Sequence, residues 1–289
     1  MERRKPYQLV SRDWKRENTV VEVNGSRIGD PEEVVLIGGP CAVENEEQIF
    51  TITEYLSKLG VRMLRGGAYK PRTSPYSFQG LKTEGLEMLR RAADKFSMAV
   101  VSEVMSTDRI DELCAYADVL QVGTRNMQNY PLLRALGKIN KPILLKRGMS
   151  STIDEWLLAA EYILLGGNEK VILCERGIRT FETATRNTLD LTAVPLLKEL
   201  THLPVIVDPS QATGLRELVP PMCYAALAAG ADGLIVEVHN QPSEALSDGD
   251  QSLYPDQFAS MLDPIRYVAG LYNKRPDFDK KNRVFNPVS

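Results

Sequence analysis

Histidine and paired cysteines are scarce in this sequence. The 289 residues include only two histidines, His202 and His239, so few imidazole groups are available to bind a metal ion. No Cys-x-x-Cys pair occurs, which excludes the usual zinc-finger and disulfide frameworks. We therefore expect that most of the four cysteines are buried thiols: Cys41, Cys114, Cys174 and Cys223.

Excess positive charge and long apolar runs are also absent. The formal net charge of −3 argues against a nucleic-acid-binding protein, which would usually carry a basic surface. Residues 1–6 are basic, but no apolar run follows them, so the sequence predicts neither a signal peptide nor a membrane span. The hydrophobic (43%) and charged (25%) fractions are those of an ordinary globular protein. We expect a cytoplasmic protein that binds neither nucleic acid nor membranes.

Eight short apolar runs, rich in β-branched residues, recur along the chain. They begin 21 to 37 residues apart, which is the spacing of successive βα units. Nearly continuous apolar runs are typical of parallel strands that are covered on both faces. Eight units favour a closed (β/α)8 TIM barrel of the α/β class over an open sheet, and no G-x-G-x-x-G motif occurs. The predicted strands are residues 34–41, 61–68, 98–104, 119–124, 142–148, 171–177, 204–210 and 233–239.

The segments between these runs carry helix signals. Thr152 and Glu155 form a capping box that predicts the start of one helix. An apolar stripe at helical spacing stops at Gly60 and consists of Ile49, Ile52, Leu56 and Leu59.

A hairpin signal precedes the first predicted strand. Asn24 and Gly25 stand between two short strand-like segments, residues 20–23 and 27–28, as in a two-residue β-turn. We expect this hairpin to cover the bottom of the barrel. The chain would then comprise an N-terminal extension with the hairpin (1–33), a catalytic barrel (34–272) and a polar, proline-containing tail (273–289).

Basic side chains follow several predicted strands at their carboxyl ends, which build the active site of a TIM barrel. Taken singly, each could be a solvated residue of the rim. Cations that converge on one opening repel each other, however, and an anionic ligand is the natural compensation. Arginine suits carboxylate and phosphate, and neighbouring glycines let backbone N–H groups approach the same anion. The pattern predicts a pocket for two phosphates, lined by Arg65, Lys70, Arg72, Arg125, Lys146 and Arg176.

A second group of strand-end residues combines a thiol with two acids. Cys41 follows the first predicted strand, Glu237 lies on the eighth, and Asp248 lies in the loop after it. A cysteine and carboxylates, completed by one neutral ligand, are suited to a divalent metal ion. The alternative for Cys41 alone is a small buried hydrophobic side chain without a ligand role.

Ordered motifs extend through nearly the whole chain, from Lys5 to about Leu262. They include Gly-Gly-Pro-Cys-Ala-Val-Glu, Leu-Arg-Gly-Gly-Ala-Tyr-Lys-Pro-Arg-Thr-Ser, Gly-Thr-Arg-Asn-Met-Gln-Asn and Ile-Val-Glu-Val-His. In these motifs the chain resembles the 3-deoxy-D-arabino-heptulosonate 7-phosphate (DAHP) synthases, in their compact single-barrel type Iβ form without a regulatory domain. The resemblance implies an enzyme that joins phosphoenolpyruvate to erythrose 4-phosphate at the first step of the shikimate pathway, toward aromatic amino acids.

The resemblance also implies which residues bind the two substrates. Arg125, Lys146 and Arg176 would hold the phosphate and carboxylate of phosphoenolpyruvate, with Arg65 and Lys70 contributing. Glu103 is a further substrate-binding candidate. For erythrose 4-phosphate the residues are Lys70, Pro71, Arg72 and Thr73. The related 3-deoxy-D-manno-octulosonate 8-phosphate synthases, which use a five-carbon aldose phosphate, carry a Lys-Ala-Asn-Arg-Ser-Ser type of segment at the latter position.

In the implied reaction, C3 of phosphoenolpyruvate attacks the aldehyde carbon, water adds at C2, and phosphate leaves by C–O cleavage. A divalent ion would act as a Lewis acid on the aldehyde. Lys70 is the catalytic candidate, either as the proton donor to the developing alkoxide or as a fixed cation.

One position departs from the pattern of the family, whose metal ligands are Cys, His, Glu and Asp. The corresponding residues here are Cys41, Gln211, Glu237 and Asp248. An amide oxygen is a harder and usually weaker ligand than imidazole, so we expect weaker binding of zinc or iron and a shift toward manganese or magnesium. His202 should lie near the other end of the barrel, whereas His239 should lie on the same side of its strand as Glu237.

Three hypotheses remain open. The first is an active DAHP synthase, and the second is a related enzyme that uses a five-carbon aldose phosphate, which the Lys-Pro-Arg-Thr segment disfavours. The third is a metal-impaired, non-catalytic barrel that serves as a regulatory or assembly partner. Gln211 supports this third hypothesis, because it replaces a metal ligand of the family.

The resemblance implies a homotetramer or homodimer. Because only short segments flank the barrel, we expect no inhibition by phenylalanine or tyrosine through a domain of its own.

Overall fold

The computed structural model describes residues 6–279 of the chain. Residues 1–5 of the predicted N-terminal extension and residues 280–289 of the predicted tail lie outside the described residues, and the proposed domain limits remain a prediction. Among the described residues, no helix has the length and apolarity that crossing a bilayer would require.

An antiparallel hairpin precedes the barrel, as the sequence predicts. Strand β1 (Val21–Val23) pairs with β2 (Ser26–Ile28). The turn residues Asn24 and Gly25 both have positive φ angles, 49° and 77°, as a type I′ turn requires. The inward side chains of the hairpin, among them Ile28, belong to the same buried cluster as side chains inside the barrel. The hairpin therefore closes the end of the barrel opposite the carboxyl ends of the strands.

Eight parallel strands form the barrel itself. Each pairs with the next in the chain, and the last pairs with the first, with Leu234 opposite Leu36, so that the sheet closes on itself. Their interior is filled by small and β-branched side chains such as Ile37, Ala99 and Ile235. This confirms the predicted (β/α)8 fold. The strands are β3 (Glu33–Gly39), β4 (Met63–Arg65), β5 (Ala99–Glu103), β6 (Val119–Val122), β7 (Ile143–Lys146), β8 (Val171–Glu175), β9 (Val205–Val207) and β10 (Gly233–Glu237).

Helices surround the barrel and bury their apolar faces against it. Three residues of the predicted apolar stripe, Ile49, Ile52 and Leu56, are buried in the first of them, and the fourth, Leu59, is the half-buried C-cap residue. Asn45 caps the start of this helix through a hydrogen bond from Gln48 N. The predicted capping box is present, with Thr152 and Glu155 each bonded to the other's backbone. The helices are α1 (Glu46–Lys58), α2 (Lys82–Lys95), α3 (Ile110–Tyr116), α4 (Tyr130–Leu136), α5 (Ile153–Leu164), α6 (Ala193–Leu200), α7 (Pro209–Thr213), α8 (Val219–Ala228), α9 (Pro255–Ser260) and α10 (Leu262–Leu271).

The chain after α10 returns to the first barrel strand. Strand β11 (Arg275–Pro276) pairs in parallel with the start of β3. The next residue, Asp277, is fully buried and accepts hydrogen bonds from Ser26 Oγ (2.6 Å) and Leu36 N (3.0 Å). Burial raises the pKa of Asp277 to about 7, although the two hydrogen bonds act in the opposite direction. This carboxyl group thus links the hairpin, the first barrel strand and the C-terminal segment.

Candidate active site

A polar cavity of about 390 Å³ opens at the carboxyl ends of the barrel strands, and we call it the strand-end cavity. Two further predicted residues lie directly behind its wall, because Cys41 Sγ accepts a hydrogen bond from Lys70 Nζ and Glu237 from Arg65 Nη1. The structure therefore brings the predicted substrate-binding residues and the predicted metal ligands to one place. The predicted residues that line the cavity are Arg65, Lys70, Pro71, Arg72, Thr73, Glu103, Arg125, Lys146, Arg176, Gln211 and Asp248.

The ends of the strands position the cations and acids of the strand-end cavity. Arg65, Glu103 and Lys146 are the last residues of β4, β5 and β7, and Arg176 directly follows β8. Successive parallel strands end at the same rim, so residues far apart in sequence meet there. Burial raises the pKa of Glu103, although Lys70 and other cations around it act to lower it.

Lys146 is fixed at the base of the cavity by a buried ion pair. Its Nζ lies 2.5 Å from Asp208 Oδ2, and both side chains are almost completely buried. Burial alone would raise the pKa of Asp208, but Lys146 and Arg65 outweigh it and the pKa is lowered. Asp208 also caps α7 by accepting a hydrogen bond from Gln211 N (2.9 Å). The ammonium group is thus held in one position by a carboxylate that is itself fixed to α7.

Two arginines of the cavity have donor atoms still available. Arg65 Nε and Arg176 Nε are buried and have no hydrogen-bond partner within residues 6–279. Burial lowers the pKa of Arg176, and nearby Arg186 lowers it further, against the opposing effect of Asp208. Buried donors without an acceptor are costly, and an anion in the cavity would supply one.

Cys41, Glu237 and Asp248 form the predicted thiol and carboxylate group. One ligand atom from each residue lies within 4.8 Å of the other two. Burial raises the pKa of Cys41 to about 12, with a further contribution from Glu237. Burial acts to raise the pKa of Asp248 as well, but Arg186, with hydrogen bonds from Cys41 and Gln211, lowers it strongly. A sulfur and two carboxylates at this spacing fit a divalent cation.

The side-chain amide of Gln211 lies beside this group. Its Nε2 donates to Glu237 Oε1 (2.6 Å) and to Asp248 Oδ2 (3.2 Å). Its Oε1 accepts a hydrogen bond from Arg176 Nη2 at 3.5 Å. The amide therefore presents its nitrogen, rather than the carbonyl oxygen considered from the sequence, to the two acids. The reason is that carboxylates accept hydrogen bonds and the guanidinium group donates them.

Neither histidine belongs to the group. His202 lies just before β9, and its Nδ1 is 2.8 Å from Thr19 Oγ1 in the N-terminal segment. His239 lies two residues after β10, and its Nε2 is 3.3 Å from Glu44 Oε2. Histidine is thus not among the described groups that could hold a metal ion.

Among the cavity residues that the sequence did not single out are Arg179, Arg186 and Asn187, which lie in the long loop between β8 and α6. Arg186 donates to Asp248 Oδ1 (3.2 Å) and to Gln251 Oε1 (2.8 Å). Gln251 in turn donates to Glu237 Oε2 (2.6 Å). The sequence could have indicated the two arginines by the same pattern as the other cations, because they lie in a loop that follows a barrel strand.

One protein family and several known proteins match most of this chain. A model of the DAHP synthetase I family matches residues 17–266. A phospho-2-dehydro-3-deoxyheptonate aldolase of Thermotoga maritima is 54% identical over 265 residues, which cover 92% of this chain and 78% of that relative. A 2-dehydro-3-deoxyphosphooctonate aldolase of Desulfosudis oleivorans is 29% identical over 263 residues, covering 85% and 93% of the two chains.

A solved structure of the same kind of protein has the same fold as this chain. The crystal structure of a phospho-2-dehydro-3-deoxyheptonate aldolase (DAHP synthase) from Thermotoga maritima superposes with a TM-score of 0.92 at 52% identity. The superposition covers 95% of this chain and 80% of that one.

Proposed function

The chain belongs to the DAHP synthetase I family, and from this premise we propose that it condenses phosphoenolpyruvate with erythrose 4-phosphate and water. The products are 3-deoxy-D-arabino-heptulosonate 7-phosphate and phosphate, at the first step of the shikimate pathway. The observation that carries this proposal is the strand-end cavity, in which cations from separate strands converge beside a thiol and two acids.

Phosphoenolpyruvate is a compact trianion, and we assign it to the inner part of the cavity. Lys146, Arg125 and Arg176 offer charge and hydrogen bonds to its phosphate and carboxylate, with Arg65 behind them. The free Nε donors of Arg65 and Arg176 support this assignment, because an anionic oxygen is the partner that each lacks.

Erythrose 4-phosphate is assigned to the outer loop of residues 70–73. Arg72 is held there by donating from Nε to Phe78 O (3.2 Å) and from Nη2 to Leu246 O (3.4 Å). Arg125 Nη1 donates to Pro71 O (3.4 Å), which joins this loop to the phosphoenolpyruvate residues. The aldehyde end of the sugar would then point inward, toward Lys70.

We propose that a divalent metal ion takes part and that Cys41, Gln211, Glu237 and Asp248 hold it. When bound, the ion supplies Lewis acidity toward the aldehyde oxygen. With an amide in place of a fourth strong ligand, manganese or magnesium is favoured over zinc or iron. Arg186 and Gln251 support the two carboxylates from outside, since they bond to Asp248 and Glu237 respectively.

Lys70 is the proposed proton donor. Its Nζ lies 2.9 Å from both Cys41 Sγ and Cys41 O, at the boundary between the two groups of the cavity. As C3 of phosphoenolpyruvate bonds to the aldehyde carbon, the aldehyde oxygen gains a proton from the ammonium group. Water then adds at C2 and returns one of its protons to the neutral amine of Lys70. The C2–O bond to the phosphate breaks as C2 becomes a carbonyl, and phosphate departs with the bridging oxygen and the second proton of the water. The alternative role for Lys70 is a fixed cation that stabilises the same oxygen without transferring a proton.

An assay of phosphate release tests the proposal. Purified protein is supplied with phosphoenolpyruvate, erythrose 4-phosphate and Mn²⁺, and each component is omitted in turn while the product is identified by NMR. We expect release of phosphate only in the presence of aldose, with one heptulosonate phosphate formed per phosphate. Binding of phosphoenolpyruvate without any turnover would instead favour the non-catalytic barrel.

Assembly and location complete the proposal. We propose a homodimer or homotetramer, as the resemblance to the DAHP synthases implies. Sedimentation velocity at several protein concentrations tests the oligomeric state.

A cytoplasmic location is supported by the four cysteines, all of which are free thiols.

A further inference from the structure

The carboxamide of Gln211 connects the group of metal ligands with an arginine of the phosphoenolpyruvate site. On one side its Nε2 bonds to Glu237 and Asp248, and on the other its Oε1 accepts from Arg176. A single side chain therefore contacts both halves of the cavity, and its two ends have opposite hydrogen-bonding character.

The backbone of Gln211 is held on both sides. Its N–H donates to Asp208 Oδ1 (2.9 Å), and its carbonyl oxygen accepts from Asn187 Nδ2 (3.0 Å). It lies in the short helix α7, directly after β9. The carboxamide of Gln211 can therefore reorient only by rotation of the side chain, while the backbone stays in place.

A cation bound by Cys41, Glu237 and Asp248 requires lone pairs, and an amide nitrogen has none to offer. To act as a ligand, the carboxamide must turn by half a revolution and present Oε1. Nε2 would then point toward Arg176, so two donors would face each other without an acceptor, which is unfavourable for buried groups. An anion on Arg176 removes this conflict, because its oxygens accept from both.

We propose that Gln211 couples the two sites, so that phosphoenolpyruvate on Arg176 increases the affinity for the divalent cation and the cation increases the affinity for phosphoenolpyruvate. The equality of the two effects follows from thermodynamic linkage. The inference rests on the proposed function, since it takes phosphoenolpyruvate as the anion of Arg176. A neutral imidazole at position 211 binds a cation through the ring nitrogen that already carries a lone pair, so it need not exchange an acceptor for a donor beside Arg176. A histidine would therefore lack this part of the coupling.

The test is the binding of Mn²⁺ to the full chain, followed by EPR of the free ion, with and without saturating phosphoenolpyruvate. The coupling factor is the ratio of the two dissociation constants. Gln211→His is the matched control, because opposite charges at the two sites attract each other equally in both proteins. We expect the coupling factor of the wild-type protein to be about tenfold larger than that of Gln211→His. We also expect Gln211→His to bind Mn²⁺ more tightly than wild type when phosphoenolpyruvate is absent.

Equal coupling factors in the two proteins would overturn the inference. Gln211→Ala provides a second comparison that does not depend on imidazole chemistry. It has no amide to turn, so its coupling factor should fall to that of Gln211→His, and a factor as large as that of wild type would also overturn the inference.

These measurements involve no turnover, which separates them from the proposed function. If phosphoenolpyruvate and Mn²⁺ bind with the expected coupling but no heptulosonate phosphate is formed, the proposed function fails while the inference stands. If product forms and the coupling factors are equal, only the inference fails.

Discussion

Arg65 Nη1 lies 2.8 Å from Glu237 Oε1, and this buried ion pair joins the second strand of the barrel to the eighth across the first. The arginine belongs to the cations that line the cavity, and the glutamate belongs to the group of possible metal ligands. The two halves of the proposed active site are therefore fixed relative to each other by a direct contact. A displacement of either strand end would disturb both substrate binding and metal binding.

Replacement of Arg72 should affect one substrate selectively. We expect Arg72→Ala to raise the KM for erythrose 4-phosphate by about 10- to 100-fold, since a hydrogen bond to a charged group contributes about 1.5–3 kcal/mol. The KM for phosphoenolpyruvate should stay within about twofold. Steady-state kinetics with each substrate varied in turn measure both. Arg91→Ala, at an exposed arginine paired with Glu46 on the helical surface, is the control and should change neither. Equal increases in the two KM values would remove Arg72 from the aldose site.

Replacement of Lys70 distinguishes proton transfer from a fixed charge. Arginine keeps the positive charge but does not release its proton at neutral pH. If Lys70 donates the proton, Lys70→Arg and Lys70→Met should both lower kcat by about 100- to 10,000-fold. Single-turnover rates measure the effect of each replacement on the chemical step, and the Kd for phosphoenolpyruvate measures its effect on substrate binding. A Lys70→Arg enzyme with nearly normal kcat would assign Lys70 the role of a fixed cation.

Removal of one partner of the Lys146–Asp208 pair should destabilise the protein. Asp208 is completely buried, so Lys146→Met removes the cation that contributes most to compensating its charge. We expect a loss of about 3–5 kcal/mol in the free energy of unfolding, measured by urea denaturation. Asp208→Asn in the Lys146→Met background should restore most of it, because the amide oxygen can still cap α7. A double variant as unstable as the single one would contradict this explanation.

Stability should depend on pH through Asp277. Its pKa is raised to about 7 in the folded protein, whereas in the unfolded chain it has an ordinary value near 4. Between about pH 4 and pH 7 the folded state therefore binds a proton that the unfolded state does not. The free energy of unfolding falls as the pH rises through this window, by on the order of 4 kcal/mol, and then levels off.

The variant Asp277→Asn isolates this effect. In this variant the free energy of unfolding should no longer fall between pH 4 and pH 7, and at pH 8 the variant should be more stable than wild type. Urea denaturation at pH 5, 6, 7 and 8 measures both. Asp263→Asn, at a carboxylate that is 90% exposed, should keep the slope of the wild-type protein. If Asp277→Asn and wild type show parallel pH profiles, Asp277 does not titrate in this window.

The barrel and the position of its cavity could be predicted from the sequence because both follow from local patterns. Parallel strands buried on both faces appear as apolar runs, and their carboxyl ends converge by the geometry of the fold. Arg65 and Lys146 could therefore be placed in one cavity although 81 residues separate them. The capping box of Thr152 and Glu155 is equally local.

The contacts between loops could not be predicted in the same way. Arg186 reaches Asp248 because the loop after β8 folds over the loop after β10, and no periodic pattern specifies that approach. The orientation of the Gln211 amide depends on three partners from different strands or loops, Arg176, Glu237 and Asp248. The buried environment of Asp277 likewise arises only when the C-terminal segment joins β3.

The most direct test of the central claim compares two aldoses as partners of phosphoenolpyruvate. The ratio of kcat/KM for erythrose 4-phosphate to that for arabinose 5-phosphate is measured with the same enzyme and Mn²⁺ concentration. We predict a preference of about 100-fold or more for the four-carbon sugar. An aldose one carbon longer cannot place its aldehyde beside Lys70 and its phosphate beside Arg72 in the same way, and losing a hydrogen bond to a charged group costs about 1.5–3 kcal/mol. Equal efficiency, or a preference for the five-carbon sugar, would contradict the assignment of this cavity to the synthesis of a seven-carbon sugar acid.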